Sequence, residues 1–220
     1  FKFVRSYLKP SAAIFADTNY EPSKVTVDSG NNIYIVSEGV YAGVIQLANT
    51  GEFLGYFTSN KSKLTPQQMF LKLIYTKEQQ KKSELLNTLP STFSNVFVDT
   101  NGTAYSTCMG TGNDLLKKHS TDGTNMLGNV KTSSALTDVT ANKDGIIYAS
   151  DSHGMIWVYT SQGEVIFQLG AEAADKDISG LFTSLTTIAV DNSGNIWTAD
   201  GEKGYLQSFT PTEYATTIFK

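Results

Sequence analysis

The sequence predicts an all-β chain folded as a β-propeller, and three features carry that prediction. One short phrase is written four times: VDSGNNIYIVS from Val27, VDTNGTAYSTC from Val98, ANKDGIIYASD from Ala141 and VDNSGNIWTAD from Val190. Each phrase leads into a third run (VIQL, LLKKH, MIWVY or YLQSF) and then through a polar turn (NTGE, STDG, SQGE or TPTE) towards a fourth. The aromatic residues of the phrase, Tyr34, Tyr105, Tyr148 and Trp197, fall 71, 43 and 49 residues apart. Two of these intervals match the roughly 40–50 residues of a four-stranded blade.

Within each unit the elements follow in a fixed order. An inner strand comes first, read from KVTV, NVFV, TDVT and TIAV. A two-residue hairpin turn is expected next, with Asn31, Gly102, Gly145 and Gly194 at a position needing positive φ, which Gly and Asn tolerate best. Asp28, Asp99 and Asp191 precede these turns, where a carboxylate accepts backbone N–H bonds and ties the loop. The aromatic residue of the second strand is expected to fill the space between neighbouring sheets. Cys108 reads as a small buried residue of the second strand.

The long first interval holds an insertion. TPQQMFLKLIY (65–75) starts with Thr65 as N-cap, Pro66 at the first helical position and Gln68 as capping-box partner, and TKEQQKKSELL (76–86) reads as a second helix ended by Pro90. The resulting expectation is four complete four-stranded blades at 24–57, 95–128, 136–170 and 186–220, with a helical insertion at about 65–87 within the connection 58–94. Residues 1–10, where FKFVRSY matches GEFLGYF (51–57), are expected to be the outer strand of an incomplete blade. A lone edge would leave strand groups unpaired, so a parent ring of about six blades is expected.

The pattern TTIAVDNSGNIWTAD…GYLQSF resembles the NHL repeat over residues 24–220. PSKVTVDSGNNIYIVSEGVYAGVIQL, the 65–82 insertion and the closing FTPTEY are similar to extracytoplasmic NHL-repeat proteins of Gram-positive bacteria whose activity is unestablished. That resemblance implies a propeller outside the membrane, extracytoplasmic or on the cell surface. Ser37 and Cys108 replace the Asp that ends the second strand, and NKDG breaks the Val-Asp pair of the third unit, so no uniform ring of carboxylates is expected.

Composition narrows the function. Formal net charge is −4 over 220 residues, which speaks against a broad surface for phosphate backbones and hence against nucleic acid as a partner. A single cysteine excludes an intrachain disulfide and a thiol metal cluster. Two histidines, His119 and His153, exclude a multi-His metal site. The Gly-rich MGTGND (109–114) precedes a strand rather than a helix and does not read as a phosphate cradle. No run approaches the roughly 20 apolar residues of a membrane span.

The expected binding residues lie at the loops between second and third strands: Glu38, Tyr41, Asp151, His153, Asp200 and Glu202, with Lys203 beside them. They form a polar face with aromatic character, fitted to a protein, peptide or glycan. The expected function is a non-enzymatic binding or scaffold module using that face and the inserted helices, with no catalytic residue, metal or cofactor assigned. Self-association through open propeller edges is a further expectation. The alternative is a metal-dependent hydrolase of lactonase type, with oxygen ligands converging in the central channel. Asp138 is the one carboxylate read on the inner strands for such a site.

Overall fold

A computed structural model describes residues 1–15, 20–38, 40–58, 92–110, 114–128, 130–133, 135–173 and 178–211. The helices expected at 65–87 and the outer strand expected at 214–220 lie outside these residues. Among the described residues the only helical turn is a 3-10 turn at Ala13–Phe15, and no helix is long and apolar enough to cross a membrane.

Four antiparallel sheets repeat one meander. The first contains β1 (Glu21–Val27), β2 (Ile33–Glu38), β3 (Ile45–Leu47) and β4 (Phe53–Tyr56) in that order. The second contains β5 (Thr92–Val98), β6 (Ala104–Met109) and β7 (Leu116–His119). The third contains β8 (Leu136–Ala141), β9 (Ile147–Asp151), β10 (Ile156–Tyr159) and β11 (Val165–Leu169). A two-stranded parallel ladder, β12 (Ala171–Glu172) with β13 (Leu181–Phe182), lies on the connection to the fourth sheet. That sheet contains β14 (Leu185–Val190), β15 (Ile196–Asp200) and β16 (Tyr205–Phe209).

The first strands β1, β5, β8 and β14 pack each against the next, so the sheets stand side by side with their inner edges together. This is the propeller arrangement. Its core lies between sheets rather than within one. Tyr34, Val36 and Val44 of the first sheet share a cluster with Val96, Tyr105 and Leu116 of the second and Leu136, Val139 and Tyr159 of the third. Tyr148, Ile156 and Val158 of the third sheet meet Ile188 and Ile196 of the fourth. On the outward side of the first sheet, Ile33, Ile45 and Leu47 are covered by Phe15 from the 3-10 turn. Each aliphatic side chain so buried contributes about 1.5–3 kcal/mol, and the interfaces between sheets carry most of it.

The hairpin turns correct one expectation. Three residues, not two, form the loop between first and second strands, because the Asp28 amide donates to Asn32 O and the Asn31 amide to Asp28 O. Asp99, Asn142 and Asp191 repeat the arrangement with Gly102, Gly145 and Gly194. The extra residue sits at positive φ, 62° at Asn31 and 79–83° at the glycines, as in a type I turn followed by a left-handed bulge residue. The side-chain oxygen before the turn favours this longer form by accepting two of its amides.

Two further expectations are corrected. Residues 1–10 contain no strand; Arg5 Nη1 and Tyr7 OH donate to Asn49 O at 2.9 Å each. Both bonds run from side chains to the turn between β3 and β4, where a strand would pair through its backbone. The second sheet has three strands with only an isolated bridge, His119 to Asn125, where a fourth was expected. Asn125 Oδ1 accepts from the amides of Lys118 (3.2 Å) and Leu127 (3.0 Å), so a side chain takes the bonds that a ladder would make.

Candidate functional site

The recurrent carboxylates build the turns from two oxygens. Asp28 Oδ1 accepts from the Asn32 amide at 2.8 Å, and Asp28 Oδ2 accepts from Tyr34 OH at 2.9 Å. Asp99 Oδ1 accepts from the amides of Asn101 and Thr103, and its Oδ2 from Tyr105 OH at 3.2 Å. Asp191 repeats this with the Ser193 and Asn195 amides and Trp197 Nε1 at 3.1 Å. The repeated Asp and the repeated aromatic are therefore one device: the carboxylate closes the loop and orients the ring that packs between sheets. Side-chain bonds from Asn195 and Trp197 hold the Asp191 carboxyl down at about 2. Burial and the Asp28 carboxylate push Tyr34 up to about 12.

The same chemistry recurs one hairpin later at two of the expected binding residues. Asp151 Oδ1 accepts from the amides of His153 (2.9 Å) and Met155 (3.0 Å), and its Oδ2 from Trp157 Nε1 at 3.2 Å. Asp200 Oδ1 accepts from the Glu202 and Lys203 amides, while its Oδ2 accepts from the Thr183 amide at 2.7 Å. Both carboxylates are almost fully buried. Burial works against the Asp200 charge, but the amides of Lys203, Thr183, Ser184 and Glu202 outweigh it and leave the pKa lowered. By contrast Glu38, Tyr41, His153 and Glu202 are exposed, and Lys203 is half-buried over the Tyr205 ring at 5.5 Å. The six residues thus divide into two that fix loops and four that the loops present.

These loops sit beside the chain entering each inner strand. Ser152 N donates to Ala135 O and Gly201 N to Ser184 O. The β9–β10 loop also touches the β12 connection, where Gly154 and Gly170, at φ 74° and 86°, approach so closely that a Cβ on Gly170 would collide with Gly154 O. That contact brings Ala171–Glu172 next to the His153 loop.

The adjoining ends of the inner strands carry a second feature. All four register shifts of the inner strands fall at one place, between Pro22 and Lys24, Phe93 and Asn95, Leu136 and Asp138, and Leu185 and Thr187. The residues after the bulges, Lys24, Asn95, Asp138 and Thr187, therefore form a row across the four sheets. Asp138 is its node. Asn95 Nδ2 and the Val139 amide donate to its Oδ1, while Thr187 Oγ1 (2.5 Å) and the Ile188 amide (2.9 Å) donate to its Oδ2. Sequence reasoning singled out Asp138 but not Asn95 or Thr187; the shared offset from the following turn was the signal that could have found them.

Between the first and second sheets lies a buried basic pair. His119 Nδ1 donates to Gly123 O at 3.1 Å, so the neutral ring accepts from Ser106 Oγ through Nε2 at 2.8 Å. Burial lowers its pKa to about 4. Lys117 is buried with its ammonium 5.1 Å from the Phe93 ring centre, and burial lowers its pKa too. Among the described residues no three His, Cys, Asp or Glu side chains gather as a metal site.

A scan against protein-family models finds no match, and a search of curated proteins finds none either. Solved structures do match. Virginiamycin B lyase from Staphylococcus aureus superposes with a TM-score of 0.54 at 12% identity, over 91% of this chain and 59% of its own. An auxiliary nutrient binding protein from Bacteroides thetaiotaomicron gives 0.55 at 11%, over 88% and 39%. The extracellular domain of a hybrid two-component system from the same organism gives 0.51 at 12%, over 93% and 26%. The chain thus spans less than two thirds of the length of each of these structures. At such identities the likeness is one of fold, and it is to β-propeller proteins.

Proposed function

We propose that this chain is a non-enzymatic binding or scaffold module whose contact surface is the face formed by the loops between second and third strands. The observation that carries the reading is the division of labour among its carboxylates. Asp200 is taken up by backbone amides, and Asp151 by two amides and the Trp157 indole, which makes both of them supports for the exposed His153 and Glu202. With Glu38 and Tyr41 these offer hydrogen-bonding groups of both kinds and one aromatic face, the chemistry that suits a peptide, a protein surface or a glycan. The segment at 65–87 is proposed as an additional docking element. The acidic balance argues against nucleic acid. A position outside the cytoplasmic membrane, in keeping with the sparse charge of the surface, is part of the same proposal.

Screening the purified chain against immobilised peptide and glycan panels tests this. The combined variant Tyr41→Ala, His153→Ala, Glu202→Ala should lose capture of any hit at least about tenfold, with an unchanged melting temperature. Retained capture would remove the loop face from the account, and deletion of 65–87 tests the docking segment in the same assay.

The hydrolase reading draws on Asn95 and Asp138, oxygen-bearing side chains that meet on the inner strands. Four donors already occupy the Asp138 carboxylate, about the number it accepts, so a cation would have to displace them. A melting temperature raised by several degrees with Ca²⁺ or Zn²⁺ and reversed by EDTA would favour this second reading over the first.

A further inference from the structure

The buried basic side chains among the described residues, Lys117 and His119, stand two positions apart on β7 and hence on one of its faces. His119 joins three parts of the contact between the first and second sheets. Its Nδ1 donates to Gly123 O at 3.1 Å in the turn after β7, and its Nε2 accepts from Ser106 Oγ of β6 at 2.8 Å. Its ring meets that of Phe57, just beyond β4, edge to face at 5.3 Å between centres. The backbone follows the side chains: Phe57 O lies where a Cβ on Gly123 would stand, and the Phe57 amide donates to Val44 O at 2.9 Å. The imidazole therefore holds the turn after β7 against the end of the first sheet.

We propose that His119 is an acid-operated latch: a proton taken from solvent at Nε2 frees the turn after β7 from Phe57 and opens the contact between the first and second sheets, while that between the third and fourth stays closed. In the neutral ring both nitrogens are satisfied. Once Nε2 carries a proton it needs an acceptor, and the Ser106 hydroxyl accepts only by turning its own proton away, at a residue with no exposure. A buried donor so stranded is costly, and a buried charge without a counter-ion more so. The groups facing the ring supply no counter-ion. Lys117 on the same strand adds a like charge, and Ser106 and Cys108 on β6 are uncharged. From the first sheet come Phe57 and, packed on it, Tyr34, whose hydroxyl donates to Asp28 Oδ2. Asp122 in the turn accepts from Ser120 Oγ and the Thr124 amide, and Asp114, before β7, acts on Lys117. In the open form the ring takes its proton at the ordinary 6.5, against about 4 in the closed form, so opening is favoured as pH falls through that window.

Cys108, the single cysteine, is fully buried in the cluster that spans this contact and reports on it. The test is its rate of labelling by an aromatic disulfide across the window from 6.5 to about 4, divided at each pH by the rate of the urea-unfolded chain. The expected result is a rise of about 100-fold or more as pH falls. That rise should barely respond to low urea, as for an opening much smaller than unfolding. His119→Gln should abolish it. Ser106→Ala removes the donor that favours the neutral ring and should move the rise to higher pH; it serves as the second variant should His119→Gln fail to fold by circular dichroism. A thiol in the other contact, Val158→Cys combined with Cys108→Ala, should show no such rise. Four results would overturn the proposal: flat labelling in the wild type, a rise that His119→Gln or Ser106→Ala leaves unchanged, a urea dependence equal to that of unfolding, or an equal rise at position 158.

Discussion

Thr187 Oγ1 donates to Asp138 Oδ2 at 2.5 Å although 49 residues separate the two in the chain. Asn95, 43 residues before Asp138, donates to the other oxygen. One carboxylate thus links the inner strands of three sheets.

Replacing it should be costly. Asp138→Asn keeps the shape but turns two acceptor sites into donors facing Thr187 Oγ1 and the Ile188 amide, or facing Asn95. A buried donor left without an acceptor costs about 1–3 kcal/mol, and more than one is stranded here. Thermal or urea unfolding should show a loss of about 3 kcal/mol or more. A loss under about 1 kcal/mol would mean that the three strands do not depend on this link.

The tyrosine–aspartate device separates ring packing from hydrogen bonding. Tyr105→Phe keeps the ring between the sheets and removes the hydroxyl that bonds Asp99, so about 1 kcal/mol should be lost in urea titrations. Tyr105→Ala empties a fully buried site and should cost about 3–5 kcal/mol, in line with other large aromatic deletions. Trp197→Ala, at an exposed position, should cost much less than Tyr105→Ala.

Much of this device was legible in advance. The repeated Asp and aromatic stand at fixed offsets, and a four-fold repeat leaves a period that no single-blade fluctuation produces. The Asx turn, the inward ring and the buried Cys108 follow from local chemistry. Less legible was anything set by what lies next to a sheet. Trp197 carries the same sequence signal as Tyr105 yet remains half in solvent, because exposure depends on the following sheet and not on the phrase. Asn125 breaks the fourth strand of its sheet through side-chain bonds that compete with the ladder. Asp151 and Asp200 stand in polar loops that suggest surface binding groups, and the structure buries both at loop bases; a short stretch of sequence carries no measure of how many amides a carboxylate will meet.

Stability should fall with pH in two steps. His119 titrates at about 4 when folded against an ordinary value of 6.5, so the unfolded chain binds more protons between those values. Stability from the neutral ring is complete above about 6.5 and is lost as pH falls towards 4, by on the order of 3 kcal/mol. Below that, the lowered carboxyls Asp28, Asp191 and Asp200 add a further loss as pH falls towards their folded values. Urea midpoints measured from pH 8 to pH 3 should show the upper step in the wild type and not in a folded His119→Gln variant. An upper step of equal size in that variant would assign it elsewhere.

Gly123, in the turn after β7, lies against the backbone of Phe57, just beyond β4 of the first sheet. Its φ is 79°, and a Cβ there would collide with Phe57 O. Gly123→Ala combines left-handed strain with a backbone clash and should cost about 2 kcal/mol or more. Gly102→Ala, at φ 81° with no atom within 4 Å of the added carbon, should show the strain alone, about 1 kcal/mol. Equal melting points for the two variants would contradict the close approach.

The most direct test of side-by-side packing of the sheets is a double-mutant cycle on Asp138→Ala and Thr187→Val, read by equilibrium urea unfolding. Residues in direct contact couple by about 0.5–3 kcal/mol, whereas residues far apart add independently. A coupling in that range is the predicted result. Additive losses would mean that β8 and β14 are not neighbours, and the propeller arrangement would fall with that contact.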